Sequence, residues 1–154
     1  MTYTITQENF ADVYKPELEA LMRQHYEEMA DRLRKDSIPV SPYNLRVDEY
    51  SKSCAEGWLI CNILRFDGKA VGYSNIYLTQ DMHNQDLIAE EDTLYVVKEH
   101  RNGIGRKFVQ FMLQDLKSRG VKSVTVSART DLRVAQLWKR MGFKEVAIQM
   151  QYTF

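Results

Sequence analysis

The chain has 154 residues, the size of one domain, with 21 Lys+Arg balancing 21 Asp+Glu, 44% hydrophobic and 27% charged residues, the composition of a globular protein rather than a disordered one. Zero net charge argues against an obligate nucleic-acid binder, which carries a basic excess. No apolar run approaches the roughly 18 residues of a membrane span, MTYTITQENF lacks the apolar stretch of a signal peptide, and two cysteines, Cys54 and Cys61, read as reduced thiols of a cytoplasmic protein.

No repeat, low-complexity stretch or linker divides the chain, so residues 1–154 are expected to form a single domain. Residues 2–6 alternate and predict a first strand. Asn9 suits a helix cap, and Pro16, tolerated in a first turn, predicts the start of a longer helix. Leu18, Leu21, Met22, Tyr26, Met29 and Leu33 then recur at helical spacing. DSIPVSPYN reads as a loop, and residues 44–56 as a shorter helix ending at Gly57.

WLICNILRF (58–66) and AVGYSNIYLT (70–79) predict two strands joined by Asp67-Gly68, a strong hairpin signal. After the polar QDMHNQD, residues 87–97 predict a fourth strand. A helix runs from Gly103 to Arg119, with Ile104, Phe108, Phe111, Met112 and Leu116 on one face, stopped by Gly120. Residues 121–128 predict a strand, Asp131 a cap for a helix to Met141, and 143–154 a last strand. The order β-α-α-β-β-β-α-β-α-β is that of an α/β (α+β) fold, a mixed sheet flanked by helices.

The sharpest motif is VVKEHRNGIGRKF, residues 96–108. A strand enters a turn with Gly103 and Gly105, and a helix begins there. Helix-start N–H groups are unpaired and the dipole adds positive charge, which makes an anion site suited to phosphate. Glycine lets the backbone approach closely, and Arg101, Arg106 and Lys107 add formal charge. The turn is not a GxxxxGKS/T loop and not a dinucleotide fingerprint, since it comes late in the chain with no acidic residue closing a second strand.

These residues resemble the GCN5-related N-acetyltransferases. The family's signature is a strand, then Q/R-x-x-G-x-G/A, then a helix whose start binds the pyrophosphate of acetyl-CoA. Here the run is Arg101-Asn102-Gly103-Ile104-Gly105, with the arginine two residues before Gly103 rather than three, so that His100 stands at the Q/R position or one loop residue is missing. A second frame, N-x-x-A-x-x-L-Y-x-x-x-G-F, is matched from Asp131 to Phe143, with Asp131 in place of Asn and Trp138 in place of Tyr. The chain is also similar to small phage and prophage members, through His25 to Glu28 (HYEE), the IPVSP loop, and Met82 to Asp86 before the fourth strand.

The resemblance implies a GNAT-type fold and transfer of acetyl from acetyl-CoA to a primary amine by direct attack on the thioester, without a covalent enzyme intermediate; no His/Cys/Asp set has metal-ligand spacing, so no metal is expected. Cys54 and Cys61 then read as small buried residues. The implied cofactor contacts are Leu94, Tyr95 and Val96 on the fourth strand, a backbone N–H near Val96 polarising the carbonyl. They continue through Arg101, Asn102, Gly103, Ile104, Gly105 and Arg106 on the loop, and Asp131 and Trp138 in the second frame. The base is expected on the fourth strand. Alternation puts Glu90 and Asp92 on one face and Glu91 on the other; counting back from the glycine turn favours Glu90, and the phage-like D-x-L-F/Y-V pattern favours Asp92. Trp138 has no acidic O–H, so the acid is Tyr152, Tyr73, Tyr77 or water. His25 and Glu28, three apart on one helix face, and His83 are expected at the acceptor site. The acceptor is a small-molecule, peptide or protein amine, with a homodimer possible and nucleic acid and membrane unexpected. A catalytically silent acyl-CoA-binding or interaction module on the same fold is the alternative.

Overall fold

A computed structural model describes residues 2–129 and 131–154. Five strands form one mixed sheet in chain order: β1 (Tyr3–Glu8), β2 (Leu59–Phe66), β3 (Lys69–Gln80), β4 (Leu87–Val96) and β5 (Ser123–Thr125). The first four pair antiparallel and β5 joins β4 in parallel. Helices α1 (Phe10–Val13), α2 (Glu19–Lys35) and α3 (Val47–Ala55) cover one face; α4 (Ile104–Ser118) and α5 (Leu132–Arg140) cover the other.

Local chemistry explains most boundaries. Asp67 and Gly68 sit at φ +49° and +86°, the two positive angles of a primed hairpin turn, which joins Phe66 to its partner Lys69. Asn9 caps α1 by accepting from the Ala11 N–H at 3.2 Å. The helix therefore begins at Phe10 and not at Pro16. Pro16 lies within a π-helical turn, Tyr14–Leu18, that links α1 to α2; proline has no N–H to give the i→i−4 ladder, and a widened turn absorbs the loss.

The helix-covered faces hold two cores. On the α2–α3 side Phe10, Leu18, Met22, Ile63, Tyr73 and Tyr95 are buried together. On the α4–α5 side Ile60, Ile76, Val109, Met112, Leu116 and Trp138 form a second cluster, and Phe108 joins Leu64 and Val71 beside it. Each fully buried Leu, Ile or Phe contributes roughly 1.5–3 kcal/mol.

Two irregularities of β4 shape the site. Ile76 pairs with Glu91 and Asn75 with Thr93, so Asp92 is an inserted bulge residue that kinks the strand. Pairing with β5 stops at Glu90↔Thr125, while β4 runs on to Val96, so the two strands part and leave one side of β4 open. The strand expected over 121–128 accordingly pairs only at its start. The expected last strand does not form: among the described residues none from 143 to 154 is in a strand, and 144–154 are exposed throughout. Five strands replace the expected six: residues 144–154 are exposed and pair with no strand of the sheet, which ends at β5.

Candidate active site

β4 leads through a single 3-10 turn, Lys98–His100, to Arg101, Asn102 and Gly103. Gly103 has φ +97°, the left-handed region that glycine enters freely, and this reversal starts α4. No side chain caps α4, so its first N–H groups are presented outward with the positive end of the dipole. A Cβ at Gly105 would meet nothing nearer than Leu137 Cδ2 at 3.9 Å, and Arg106 and Lys107 are exposed beside it. Ile104 is buried under the turn and anchors it. An open approach, a bare helix start and two cations fit a pyrophosphate.

The open side of β4 continues this groove. The Val97 N–H donates to Val71 O at 2.9 Å across to β3, and strand groups alternate in direction, so the N–H of Val96 points away from β3, into the opening. Leu94 and Val96 turn their side chains down onto the α4-side core and Tyr95 turns up into the α2-side core. The Arg101 guanidinium does not reach over the helix start. Its Nε donates to Val96 O at 2.7 Å, and its Nη2 donates to Glu28 at 3.0 Å. Asn102 Nδ2 reaches the Tyr3 hydroxyl at 3.4 Å.

A polar network joins α2 to the sheet here. His25 Nδ1 lies 2.7 Å from the buried Tyr73 hydroxyl, and its ring stacks on Tyr95 at 4.6 Å. The Tyr95 hydroxyl donates to Glu28 at 2.8 Å. Burial drives the His25 pKa down to about 4, against the pull of Glu28, so its imidazole is neutral. Desolvation alone would raise the Glu28 carboxyl, but the Tyr95 hydroxyl and Arg101 outweigh it and hold it below the usual range.

On the same face, further along β4, the bulge delivers Asp92 to α3. The Tyr50 hydroxyl donates to Asp92 Oδ2 at 2.6 Å. Desolvation raises the Asp92 pKa, opposed by Tyr50 and by the charge of Arg129. Burial raises the Tyr50 hydroxyl, and the Asp92 charge raises it further. Glu90, opposite Tyr77 in the ladder, is exposed on this face. Beside them Asn75 is 0% exposed; its Nδ2 donates to Thr93 Oγ1 at 3.3 Å, and its Oδ1 has no hydrogen-bond partner among the described residues. Such a buried acceptor costs free energy unless something donates to it. Glu91 points the other way, toward the continuation of β5, where burial lifts its pKa to about 7 against a hydrogen bond from the Ser127 backbone.

The remaining expected residues are placed apart from this group. Tyr152 is 82% exposed on the C-terminal segment, and its ring meets Phe154; it does not approach β4, because the strand that would carry it does not form. His83 is exposed in the β3–β4 connection, 3.5 Å from Asp81, and touches none of the network. Trp138 is 4% exposed in the α4-side core, with its indole N–H on Ser127 O at 3.2 Å, so it supports the opening from below. Asp131 caps α5 by accepting from the Arg133 N–H at 3.1 Å, and its other oxygen lies 3.7 Å from Arg32 of α2. Cys61 is buried, with its thiol pushed up to about 12, and Cys54 accepts the Phe10 N–H at 3.4 Å. Neither is poised as a nucleophile. Among the described residues no group of three or more His, Cys, Asp or Glu could hold a metal ion, and no helix is long and apolar enough to cross a membrane.

Three residues at or near the site, Tyr50, Asn75 and Arg32, are not singled out by sequence pattern as active-site residues, whereas Glu91 is placed by alternation on the face away from Glu90 and Asp92, as the structure has it. Alternation does put Tyr73, Asn75 and Tyr77 on one face of β3, which is the available signal for Asn75.

Comparison with known proteins agrees with this geometry. The Acetyltransferase (GNAT) family description matches residues 14–143. No curated protein matches the sequence. Among solved structures, an aminoglycoside acetyltransferase from an uncultured soil metagenomic sample has a TM-score of 0.72 at 17% identity, covering 100% of this chain and 99% of that one. The ribosomal-protein-alanine N-acetyltransferase of Brucella melitensis biovar Abortus 2308 has a TM-score of 0.70 at 13% identity, covering 100% of both chains. The glucosamine-6-phosphate N-acetyltransferase of Arabidopsis thaliana has a TM-score of 0.64 at 18% identity, covering 100% and 99%. With the parted strands, the glycine turn and a family match over most of its length, the chain belongs to the GNAT acetyltransferase family.

Proposed function

We propose that the protein transfers the acetyl group of acetyl-CoA to a primary amine of a small-molecule, peptide or protein acceptor, by direct attack of the amine on the thioester. The observation that carries this reading is the opening beside β4. It runs from the bare start of α4, past the outward Val96 N–H, to the Asp92 bulge. Acetyl-CoA supplies an activated acyl carbon. The helix start and Gly105 hold its pyrophosphate, and the Val96 N–H donates to the carbonyl oxygen as charge develops there. The amine approaches from the α2–α3 face. Its nitrogen forms the C–N bond as the C–S bond breaks, and the proton the nitrogen then sheds on becoming an amide passes through water to the displaced thiolate.

A lysine-like amine has a pKa of about 10.4 and must lose a proton first. Asp92 is the base of this reading, directly or through a water, with Glu90 on the same face; Tyr50 orients it. Asn75 Oδ1 accepts the second amine N–H. His25, Glu28 and Arg101 form the wall between the acceptor side and the cofactor groove. Carboxylates at Glu27, Glu28, Asp48, Glu49, Glu90 and Asp92 favour a cationic acceptor. The three structural neighbours bear names for different acceptors, so their likeness supports the fold of this chain and leaves its acceptor to experiment. A cytoplasmic location accords with reduced thiols.

Calorimetric titration with acetyl-CoA, run beside desulfo-CoA, tests the groove; thiol release with an amine panel tests turnover. Micromolar binding with turnover is the expected result. Binding without turnover on any amine favours the silent acyl-CoA-binding reading, which the replacement of the usual tyrosine by the buried Trp138 supports. No binding at millimolar ligand overturns both.

A further inference from the structure

We propose that Arg101 is a positioning residue for the acetyl transfer: it holds the open end of β4, and with it the Val96 N–H, in place, and it does not bind the pyrophosphate. Glu28 and Tyr95 fix it there. This inference rests on the transfer reading given above and adds to it the group that aims the carbonyl-polarising N–H.

Three observations carry it. First, the turn directs both residues that could fill the Q/R position away from the helix start. Arg101 lies on Val96 O and Glu28. His100 Nδ1 lies 2.8 Å from the Tyr3 hydroxyl, and its ring meets Phe66 at 4.9 Å. The Arg101 N–H closes on Lys98 O at 3.2 Å, and only Asn102 separates Arg101 from Gly103. The short turn therefore folds the arginine back over the strand it follows. Arg106 and Lys107 are the exposed cations beside the start of α4.

Second, β4 needs a donor at this point. Pairing with β5 ends at Glu90↔Thr125, and the N–H and C=O of one strand residue point the same way. The Val96 C=O thus faces the opening beside the Val96 N–H, where a longer β5 would donate to it. Arg101 Nε donates there instead, at 2.7 Å. One side chain replaces the missing strand at a single residue and leaves the N–H of that residue facing the ligand.

Third, the far end of the arginine is fixed. Its Nη2 donates to Glu28 Oε2 at 3.0 Å, and its guanidinium carbon lies 5.3 Å from the centre of the Tyr95 ring. The Tyr95 hydroxyl donates to the other oxygen of the same carboxylate at 2.8 Å. A rigid planar fork holds two acceptors in fixed directions, which an ammonium on a flexible stem does not. Glu28 belongs to α2, so this clamp ties the acceptor wall to the strand end that polarises the thioester.

The test compares Arg101→Met, Arg101→Lys and Glu28→Gln with the unaltered protein. Arg101→Met is expected to keep its acetyl-CoA affinity within about twofold by calorimetry while kcat falls at least tenfold, since a misplacement of about 1 Å can cost roughly 10²-fold. Arg101→Lys keeps the charge and is expected not to restore kcat. Glu28→Gln lowers kcat at saturating amine, and the Arg101→Met, Glu28→Gln double variant falls no further than Arg101→Met, because the two act through one residue. A merely structural role would reduce the folded fraction without parting kcat from affinity. NMR of the nitrogen-15-labelled protein reads the clamp without turnover. The Arg101 Nε–H signal, assigned through Arg101→Lys, is expected in the ligand-free protein, unmoved by desulfo-CoA, and exchanging with water at least tenfold faster in Glu28→Gln. If the unaltered protein fails to bind acetyl-CoA or to turn over, the transfer reading falls, and the ligand-free signal still decides the clamp. A roughly tenfold loss of acetyl-CoA affinity in Arg101→Met, an unchanged kcat, additive losses in the double variant, or an Nε–H exchange rate unaffected by Glu28→Gln overturns the proposal.

Discussion

The two faces of the sheet are both covered by helices, yet they are built from different chemistry. Under α4 and α5 the cover is almost wholly apolar, with Phe108, Val109, Met112, Leu116 and Trp138 packed on Ile60, Ile76 and Leu64. Under α2 and α3 an apolar cluster of Phe10, Leu18, Met22 and Ile63 is joined by hydroxyls, an imidazole and carboxylates: His25 on Tyr73, Tyr95 on Glu28 and Tyr50 on Asp92. One face holds the fold together by excluding water. The other spends part of its burial on polar groups that need partners, and one of these, Asn75 Oδ1, has none among the described residues. What speaks for chemistry on the α2–α3 face is the open acceptor standing beside a carboxylate, Asp92; an open acceptor alone does not distinguish the faces, since Asn62 Oδ1, which alternates with Ile60 and Leu64 on the other side, has no partner among the described residues either.

The most direct challenge to that division is to exchange its consequences. Asp92→Asn is expected to lower kcat by roughly 10²–10⁴-fold, the range for loss of a positioned base, with acetyl-CoA affinity and melting temperature little changed; steady-state kinetics beside calorimetry would decide. Phe108→Ala on the other face should do the reverse, costing about 3–5 kcal/mol of stability through the cavity it leaves. Urea unfolding reads this directly, and kcat per folded molecule should hold.

A smaller effect is expected at the cofactor turn. Gly105 does not have a positive φ, and a side chain there meets open space within the protein. Gly105→Val should therefore fold normally while weakening acetyl-CoA by at least tenfold. Unchanged affinity would remove this turn from the binding site.

Tyr50→Phe probes the polar face through pH. Its hydroxyl pulls the Asp92 pKa down. Removing it raises that pKa, so the acid limb of the kcat/KM profile should move to higher pH, with kcat lower at neutrality and recovering as pH rises. A loss of stability without movement of the profile would make Tyr50 a packing residue.

The slightest changes have opposite signs on the two sides. His25 has a folded pKa of about 4 against 6.5, so the folded state binds fewer protons between those values and stability falls as pH drops through them. His25→Asn should flatten that slope. Glu91 has a folded pKa of about 7 against 4.5; its contribution is fully present below 4.5 and is lost as pH rises to 7. Glu91→Gln should raise stability at pH 8 by about 1–2 kcal/mol and leave it unaltered near pH 4. Chemical denaturation at several pH values measures both.

Much of this is legible locally. The Asp67-Gly68 hairpin, the Asn9 and Asp131 caps, the amphipathic face of α4 and the Gly103–Gly105 turn each depend on a few neighbouring residues, and each appears where the sequence puts it. Pro16 does not open the helix as its residue type suggests, because a π-turn carries the chain through it. The alternation of the last segment is a true strand pattern, yet the strand does not form, since alternation states which face wants cover and says nothing of where cover is found. Tyr152 is displaced with it.

The form of the glycine turn is written in the sequence, because a helix start, a left-handed glycine and their spacing are properties of a short stretch of chain. So are the strand order and the two helical layers, which come from hydrophobic period and turn chemistry. The difference between Glu90, Glu91 and Asp92 is settled only in three dimensions. The bulge at Asp92, the hydroxyl of Tyr50 from a helix 42 residues earlier and the parting of β4 from β5 are long-range pairings, and they alone decide which carboxylate is desolvated, which is hydrogen-bonded, and which side of β4 lies open.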